Sequence, residues 1–305
     1  MSKPLAEKIA LVTGASRGIG RATAIALARA GAHIVAVART VGALEEIDDA
    51  ARAAGSSATL VPLDMRDYAG IYRLAAALNE RYQRLDVMVG NAGVVGQRSP
   101  LDHVEPQNWD EVFAVNVTAN WHLIRAMDAL LKRSAAGRAV FITSGAATHA
   151  RAYTGAYPIS KAALNALARV YAAETESTAI RVNLFNPGPT RTRMRAQVMP
   201  GEDPMTLPTP EAVAEKIMSL CLPSCAETGK LFDFPAGKFL LFTPPAYLAC
   251  CSRRPRSSPF ACRIGIGFCA QRQPDWRTGQ AEPLAESVDK VAAISVRQRA
   301  GARAE

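Results

Sequence analysis

Short apolar runs rich in β-branched residues alternate with longer stretches of helical periodicity between residue 8 and about residue 234. The first run, Ile9-Ala10-Leu11-Val12, is continuously apolar, which is typical of a strand buried on both faces of a sheet. Alternation of strands and helices at this spacing predicts a parallel sheet covered by helices on both faces. The predicted strands are residues 9–13, 34–38, 59–62, 87–90, 139–143, 180–184 and 231–234.

Stretches of helical periodicity lie between most of these strands, and no steady periodicity follows residue 241. The predicted helices include residues 21–30, 69–81, 109–133 and 157–177, and Thr209 is the expected N-cap of a helix over 210–221. Residues 242–274 are dense in Pro, Arg, Ser and Cys, and the last stretch carries one weak helical stripe, Leu284, Val288 and Val291. We therefore expect one domain over residues 1–240 and a basic Pro/Arg/Cys-rich extension over residues 241–305.

The amino-acid composition indicates a globular protein. Of its 305 residues, 49% are apolar and 21% are charged, which is enough to build a large core. No apolar run approaches the ~20 residues of a membrane span, and the first residues do not form a signal peptide. We expect a cytoplasmic protein without a membrane span. The six cysteines lack the spacing of a zinc site or a disulfide framework, so they are interpreted as free thiols.

A formal net charge of +9 is typical of proteins that bind nucleic acid, so the distribution of the charge matters. Residues 241–305 hold ten Lys and Arg against five Asp and Glu, so the extension supplies +5 of this charge. The remaining charges are scattered, whereas a nucleic-acid footprint needs clustering on one face. We expect no nucleic-acid partner, and binding through the basic extension is a weaker alternative.

A glycine-rich turn directly follows the first predicted strand. The segment reads Thr13-Gly14-Ala15-Ser16-Arg17-Gly18-Ile19-Gly20 and opens a predicted helix. Glycines at this spacing allow a tight turn and a close approach of the backbone to a pyrophosphate, and the helix N-terminus offers free N–H groups. This context favours a dinucleotide site over an ordinary glycine turn.

Five motifs in this order resemble those of the short-chain dehydrogenase/reductase family. They are the TGxxxGxG turn, Asn91-Ala92-Gly93, Ser144 after the fifth strand, Tyr157-Pro158-Ile159-Ser160-Lys161 as YxxxK, and Pro187-Gly188-Pro189-Thr190-Arg191-Thr192 as PGxxxT. Asn116, in the helix after the fourth strand, matches the family's catalytic asparagine. The resemblance covers residues 8–240 and implies a doubly wound Rossmann sheet of seven parallel strands, in the order 3-2-1-4-5-6-7.

The implied catalytic residues are Asn116, Ser144, Tyr157 and Lys161. Tyr157 and Lys161 are four residues apart in a helical pattern, so they project from the same face. A phenol with a pKa of about 10 is a poor base, and a neighbouring ammonium is expected to lower that pKa. Ser144 would hydrogen-bond the substrate oxygen. The resemblance also implies that Lys161 binds the nicotinamide ribose and that Asn116 holds a water.

The end of the second strand favours NADP(H) over NAD(H). Its sequence, Ala36-Val37-Ala38-Arg39-Thr40, has no carboxylate to bind a ribose 2′-hydroxyl, whereas Arg39 and Arg17 could clamp a 2′-phosphate. The alternative is that both arginines are solvated surface charges. The implied cofactor-binding residues are Gly14, Ser16, Arg17, Gly18, Ile19, Gly20, Arg39, Asp64, Met65, Asn91, Ala92, Gly93, Tyr157, Lys161, Pro187, Gly188, Thr190 and Thr192.

Several residues near these motifs keep two interpretations. By resemblance Asp64 would bind the adenine amine, but it could instead cap the next helix. We expect Tyr153 to line the substrate pocket or to pack there, and His149 to be the one histidine with reach to a substrate. No pattern of His, Asp or Cys suggests a metal site.

The segment between Thr192 and Pro208 corresponds to the family's substrate lid. It contains three methionines, which suit an adaptable apolar wall. Arg191, Arg193 and Arg195 either meet an acidic substrate or are solvated helix charges. The lid resembles that of a bacterial branch whose substrates are poorly defined. The chain departs from the family pattern at Pro189 and in its length beyond residue 240.

The function implied by the resemblance is an NAD(P)-dependent oxidoreductase, with NADPH preferred, that interconverts a carbonyl and an alcohol of a small molecule. The alternative is a catalytically silent sensor or scaffold that binds NADP(H). The complete set of four catalytic residues argues against this alternative. Relatives usually form homodimers or homotetramers through the helical regions 109–133 and 157–177, so a homo-oligomer is expected.

Overall fold

The structure is a computed structural model that describes residues 3–242. The extension predicted over residues 241–305, with its stripe at Leu284, Val288 and Val291, therefore lies outside the described residues except for its first two positions.

Eight strands form one sheet in the order β3-β2-β1-β4-β5-β6-β7-β8. The first seven are parallel and follow the predicted doubly wound order, so this prediction is confirmed. The strands are β1 (Ile9–Thr13), β2 (His33–Ala38), β3 (Ala58–Pro62), β4 (Val87–Gly90), β5 (Arg138–Ile142), β6 (Arg181–Asn186), β7 (Leu231–Asp233) and β8 (Lys238–Leu240).

The eighth strand is an addition that the sequence pattern did not predict. β8 pairs antiparallel with β7 after a tight turn in which Gly237 has a φ of 65°. Its aromatic residue Phe239 packs edge-on against Phe232 of β7, with ring centroids 5.2 Å apart. Three residues are too few to show an alternation of apolar and polar positions, which is why the strand was missed.

Helices cover both faces of the sheet, as the alternating pattern predicted. One face packs against α1, α2 and α9, and the other against α3, α5 and α7. The helices are α1 (Gly18–Arg29), α2 (Val41–Ala53), α3 (Tyr68–Tyr82), α4 (Pro106–Phe113), α5 (Ala119–Lys132), α6 (Ala146–His149), α7 (Tyr157–Glu174), α8 (Arg193–Val198) and α9 (Pro210–Cys221). Thr209 caps α9 as predicted, because its side chain accepts a hydrogen bond from the backbone N–H of Ala212.

The single helix predicted over residues 109–133 is wrong in one respect. A π-helical turn, Ala114–Thr118, separates α4 from α5. Asn116 lies in this turn and is fully buried. Such turns widen a helix by one residue and often occur at functional sites. The helical periodicity continues through the turn, which is why the pattern did not reveal the break.

The strand order reverses between β1 and β4, and hydrogen bonds join the ends of these two strands. The hydroxyl of Thr13 accepts from the backbone N–H groups of Asn91 and Ala92, at 3.0 and 3.1 Å. The amide of Asn91 in turn donates to the backbone carbonyl of Thr13 at 2.9 Å. In open α/β sheets a ligand crevice forms at this point. The contacts fix the glycine-rich turn beside the Asn91-Ala92-Gly93 segment.

Candidate active site

A cavity of about 660 Å³ opens beside the carboxyl ends of the strands. Sixteen of the predicted site residues line it: Gly14, Ser16, Arg17, Gly18, Ile19, Gly20, Arg39, Asp64, Met65, Asn91, Ala92, Gly93, Tyr157, Lys161, Pro187 and Thr192. The other four, Asn116, Ser144, Gly188 and Thr190, are not part of this lining, and Asn116 and Thr190 are buried. The structure therefore brings the predicted cofactor and catalytic motifs to one place.

The glycine-rich turn has the shape that a pyrophosphate requires. Gly14 has a φ of 64°, and a β-carbon there would lie 2.9 Å from the Cα of Ala92. At Gly20 a β-carbon would lie 2.3 Å from the carbonyl oxygen of Gly14. α1 begins with no side-chain cap and no acidic residue in its first turn, so its N–H groups and positive dipole end face the cavity uncompensated. These features fit a dinucleotide phosphate.

Charged residues mark the wall next to this turn. Arg17 and Arg39 both line the cavity, and neither forms an ion pair with another residue of the range 3–242. No carboxylate follows β2, where one would repel a 2′-phosphate. The arrangement leaves two guanidinium groups available to an anion.

Asp64 does not cap the helix that follows it, so that alternative is wrong. Asp67 is the N-cap of α3, because its carboxylate accepts from the backbone N–H of Gly70 at 2.8 Å. Asp64 instead pairs with Arg66, whose Nη2 donates to Oδ2 at 2.8 Å. Hydrogen bonds from Arg66 lower the pKa of Asp64, and the charge of Arg39 contributes in the same direction. Asp64 therefore faces the cavity as a carboxylate.

Tyr157 and Lys161 stand one turn apart at the start of α7. The Nζ atom of Lys161 lies 5.8 Å from the centre of the Tyr157 ring and donates to the backbone carbonyl of Ile142 at 2.8 Å. Burial lowers the pKa of Lys161 to about 8. Burial also raises the pKa of Tyr157, and a hydrogen bond with Ser144 opposes this effect. The net pKa of Tyr157 is raised, with desolvation as the largest cause, and the lowering effect expected of Lys161 stays a prediction.

Asn116 connects the segment after β4 to the catalytic helix. Its side-chain oxygen accepts from the backbone N–H of Val94, and its Nδ2 donates to the backbone carbonyl of the same residue, both at 2.9 Å. Nδ2 also donates to the hydroxyl of Ser160, next to Lys161, at 2.9 Å. The backbone carbonyl of Asn116 accepts from Asn120. Through Ser160, Asn116 therefore positions the helix turn that carries Lys161.

Asn186 is a site residue that the sequence analysis missed. Its side-chain oxygen accepts from the backbone N–H groups of Gly145 at 2.9 Å and Gly188 at 3.1 Å. Its Nδ2 donates to Asp233 at 2.6 Å. One buried amide thus joins the segment that carries Ser144 to the loop that carries Gly188. An asparagine directly before the Pro187-Gly188 pair was the available signal.

The opposite end of the cavity is formed by the segment after β4 and by α8. Its lining includes Val94, Val95, Arg98, Met194 and Val198. Glu111 also lines the cavity and pairs with Arg66 at 3.6 Å. Met194 and Val198 belong to the predicted lid, whereas Val94, Val95, Arg98 and Glu111 did not figure in the sequence analysis, because no motif marks them.

One prediction for this region fails, and one of the two open interpretations of the lid arginines is excluded for Arg191 and Arg195. Tyr153 is 68% exposed and does not line the cavity, so it neither forms the pocket wall nor packs there. Arg191 and Arg195 do not face a substrate: Arg191 donates to the backbone carbonyl of Pro204 at 2.8 Å, and Arg195 pairs with Glu202 at 2.5 Å. His149 is exposed and its Nδ1 lies 2.6 Å from the carbonyl oxygen of Gly145. Arg193 lines the cavity, and so does Met194.

Comparison with known proteins identifies the family. The family model for short chain dehydrogenases matches residues 8–203, which is more than half of the chain. The chain belongs to the short chain dehydrogenase family. This short chain dehydrogenase is 37% identical over 238 residues to the uncharacterized oxidoreductase YciK of Escherichia coli K12, covering 77% of this chain and 94% of YciK.

Solved structures of similar proteins share this fold. A Pseudomonas syringae protein assigned as a short chain dehydrogenase has a TM-score of 0.74 and 37% identity, over 76% of this chain and 96% of that one. A protein of the same assignment from Escherichia coli CFT073, complexed with NADPH, has a TM-score of 0.73 and 37% identity, over 76% and 98% of the two chains. As a family member, the present chain is an oxidoreductase that binds a nicotinamide cofactor.

Two further observations bear on the protein's class. Among residues 3–242, no helix is long and apolar enough to cross a membrane. The same residues contain no group of three or more His, Cys, Asp or Glu side chains placed to hold a metal ion.

Proposed function

We propose that this short chain dehydrogenase interconverts a carbonyl and an alcohol of a small molecule and prefers NADP(H). The observation that carries the proposal is that one cavity contains the uncapped start of α1, two arginines without an ion pair among residues 3–242, and the Tyr157–Lys161 pair. The domain that performs this function is proposed to span residues 1–240.

The cofactor preference rests on Arg39 and Arg17. A guanidinium group has a planar set of donors that matches a phosphate and keeps its charge at every physiological pH. The cavity lining contains five cationic side chains against two acidic ones, which suits a polyanionic ligand. The similar protein of Escherichia coli CFT073 was solved with NADPH, which supports the same choice.

The proposed roles of the catalytic residues follow from their contacts. When bound, NADP(H) supplies or accepts the hydride. Tyr157, whose pKa is raised, remains a protonated phenol at neutral pH and can donate its proton to a carbonyl oxygen. Ser144, which acts to lower the pKa of the phenol, is proposed to donate a hydrogen bond to the same oxygen. Lys161 holds a positive charge next to the phenol, and Asn116 fixes the helix turn that carries it.

A silent sensor or scaffold is not favoured. Lys161 and Asn116 are both buried polar residues, and burial of an ammonium group has a cost in stability. A protein that only binds NADP(H) would not need to retain these two buried polar residues, nor Ser144 and Tyr157.

Subunit association is a further part of the proposal. α5 and α7 correspond to the regions through which relatives pair, and each carries an exposed apolar side chain, Trp121 at 41% and Val170 at 56%. We propose a homo-oligomer, which light scattering of the purified protein tests directly.

The experiment that tests the proposed function has two parts. The first measures binding of NADPH and NADH by quenching of tryptophan fluorescence, and we expect tighter binding of NADPH. The second follows NADPH absorbance with a panel of aldehydes, ketones and keto acids. Oxidation of NADPH that depends on one of the carbonyl compounds supports the proposal, and binding without turnover across the panel supports the sensor.

A further inference from the structure

Beyond the glycine-rich turn, the segment after β4 and α8 give the cavity a largely apolar wall, whose polar members are Arg98, Arg193 and Gln197. We define the substrate wall as Val94, Val95, Arg98, Met194 and Val198, which all line the cavity. A valine- and methionine-rich surface suits an aliphatic body. The charged residue in this wall, Arg98, needs a separate explanation.

Arg98 is fixed in position by the lid. Its Nη1 donates at 2.7 Å to the backbone carbonyl of Val198, the last residue of α8. The carbonyls at the end of a helix carry partial negative charge, so the contact orients the guanidinium group without neutralising it. No Asp or Glu within residues 3–242 forms an ion pair with Arg98. Most of its five N–H donors thus remain available for a ligand.

The location of Arg98 places it at the catalytic end of the cavity. A β-carbon on Gly155 would lie 2.3 Å from the backbone carbonyl oxygen of Gln97, so the segment that precedes Arg98 packs directly on the segment that precedes Tyr157. Gly155 has a φ of 63°, which permits this close approach. Arg98 therefore belongs with Tyr157 rather than with the phosphate-binding turn.

The arginines in and beside the lid are less suited than Arg98 to bind a substrate group. Arg191 and Arg195 are engaged by backbone carbonyls and by Glu202, and neither lines the main cavity. Arg193 lines the main cavity, but no hydrogen bond or ion pair to residues 3–242 fixes its side chain. Arg98 is the preorganised cation of the substrate wall.

We propose that the carbonyl substrate carries a carboxylate on an apolar body, and that Arg98 is the specificity-determining residue that binds this carboxylate. The inference rests on the proposed function, because it treats the apolar end of the cavity as the substrate site. A guanidinium group binds a carboxylate through two parallel N–H···O bonds, which orients the substrate as well as holding it.

Binding of a substrate-like acid tests this inference without turnover. Octanoate and its neutral analogue octanamide are titrated calorimetrically into protein saturated with NADP⁺, for the wild type and for Arg98→Gln. Glutamine removes the charge and keeps an N–H donor on a shorter side chain. Arg98→Lys keeps the charge without the planar fork, and Arg52→Gln is the control, because Arg52 is 72% exposed on α2 and does not line the cavity.

We expect Arg98→Gln to weaken octanoate binding about fivefold to tenfold, at the lower end for a charge-assisted bond because the side chain is exposed. Octanamide binding should change less than about twofold, Arg98→Lys should recover part of the loss, and Arg52→Gln should behave as the wild type. Octanoate that binds no better than octanamide, equal affinity in the wild type and Arg98→Gln, or no binding of either probe would each overturn the inference.

The same titrations are repeated without cofactor, which separates the two proposals. A failure of NADP⁺ to bind counts against the proposed function, whereas the difference between wild type and Arg98→Gln toward octanoate still decides the role of Arg98.

Discussion

Lys161 donates a 2.8 Å hydrogen bond from its buried ammonium group to the backbone carbonyl of Ile142, two residues before Ser144. This contact ties the catalytic helix α7 to the end of β5. It also means that the ammonium group is held by a neutral carbonyl rather than by a carboxylate. Burial without a counter-ion lowers the pKa of Lys161 to about 8.

The first prediction concerns the pH dependence of the enzyme. Because the pKa of Lys161 is lowered, its ammonium form predominates only below pH about 8. We expect kcat/KM for NADPH-dependent reduction to fall as the pH rises above about 8, since this parameter reports the ionisation of the free enzyme. A profile that stays flat to pH 10 would show that the charge of Lys161 is not required.

The same ionisation affects stability with a defined sign. Between pH 8 and the ordinary lysine pKa of 10.5, the unfolded chain binds more protons at this residue than the folded chain. The contribution of Lys161 to the free energy of unfolding therefore rises with pH across this range. Urea denaturation of wild type and Lys161→Met at pH 7.5 and 10 measures it, and the stability difference between the two proteins should shift toward the wild type at pH 10.

A second prediction concerns cofactor choice. Arg39→Asp removes a phosphate partner and places a carboxylate where it can accept from a free ribose diol. One charge-assisted bond contributes ~1.5–3 kcal/mol, so we expect NADPH affinity to fall at least about tenfold while NADH affinity rises. Arg52→Asp, with the same change of charge on the exposed end of α2, is the control. An unchanged ratio of the two affinities in Arg39→Asp would show that the 2′-phosphate is bound elsewhere.

A third prediction concerns Asn186, which joins Gly145, Gly188 and Asp233. Asn186→Ala leaves two backbone N–H groups and one carboxylate oxygen without their partner. We expect a loss of about 2 kcal/mol or more in the free energy of unfolding. Asp233→Asn retains an acceptor for Asn186 and should lose less. Thermal denaturation of both variants decides, and equal melting temperatures for wild type and Asn186→Ala would contradict the prediction.

The extent of the domain gives a fourth prediction. All the motifs and all eight strands lie before residue 241. We expect a chain that ends at Pro245 to fold, to bind NADPH and to unfold cooperatively at nearly the melting temperature of the full chain. A melting temperature lower by many degrees, or dissociation of an oligomer, would show that residues 246–305 stabilise the protein and would make Leu284 a candidate docking residue.

The parts of the fold that could be predicted depend on local patterns. Short runs rich in apolar and β-branched residues predicted the positions of the first seven strands to within two residues at either end. The glycine turn was visible because glycine is required where Gly14 has a positive φ and where Gly20 meets the carbonyl of Gly14. These requirements concern single residues and nearby residues of the chain, so the sequence reports them directly.

Other features depend on contacts between distant residues and could not be predicted. The Arg98–Val198 contact joins residues 100 positions apart, and Lys161 reaches the carbonyl of Ile142 across a loop. The raised pKa of Tyr157 also depends on burial, which helical spacing does not report. Spacing placed Tyr157 and Lys161 on one face, but it could not show which atom the ammonium group contacts.

The most direct test of the account is the turnover of Tyr157→Phe. Phenylalanine keeps the ring and removes the hydroxyl, so the loss of proton transfer should lower kcat by about 10²–10⁴-fold. NADPH affinity should stay within about twofold of the wild type. Tyr153→Phe, the same change at a 68% exposed tyrosine outside the cavity, is the control and should be fully active. A Tyr157→Phe enzyme that oxidises NADPH with the carbonyl substrate at nearly the wild-type kcat would contradict the central claim that Tyr157 transfers the proton.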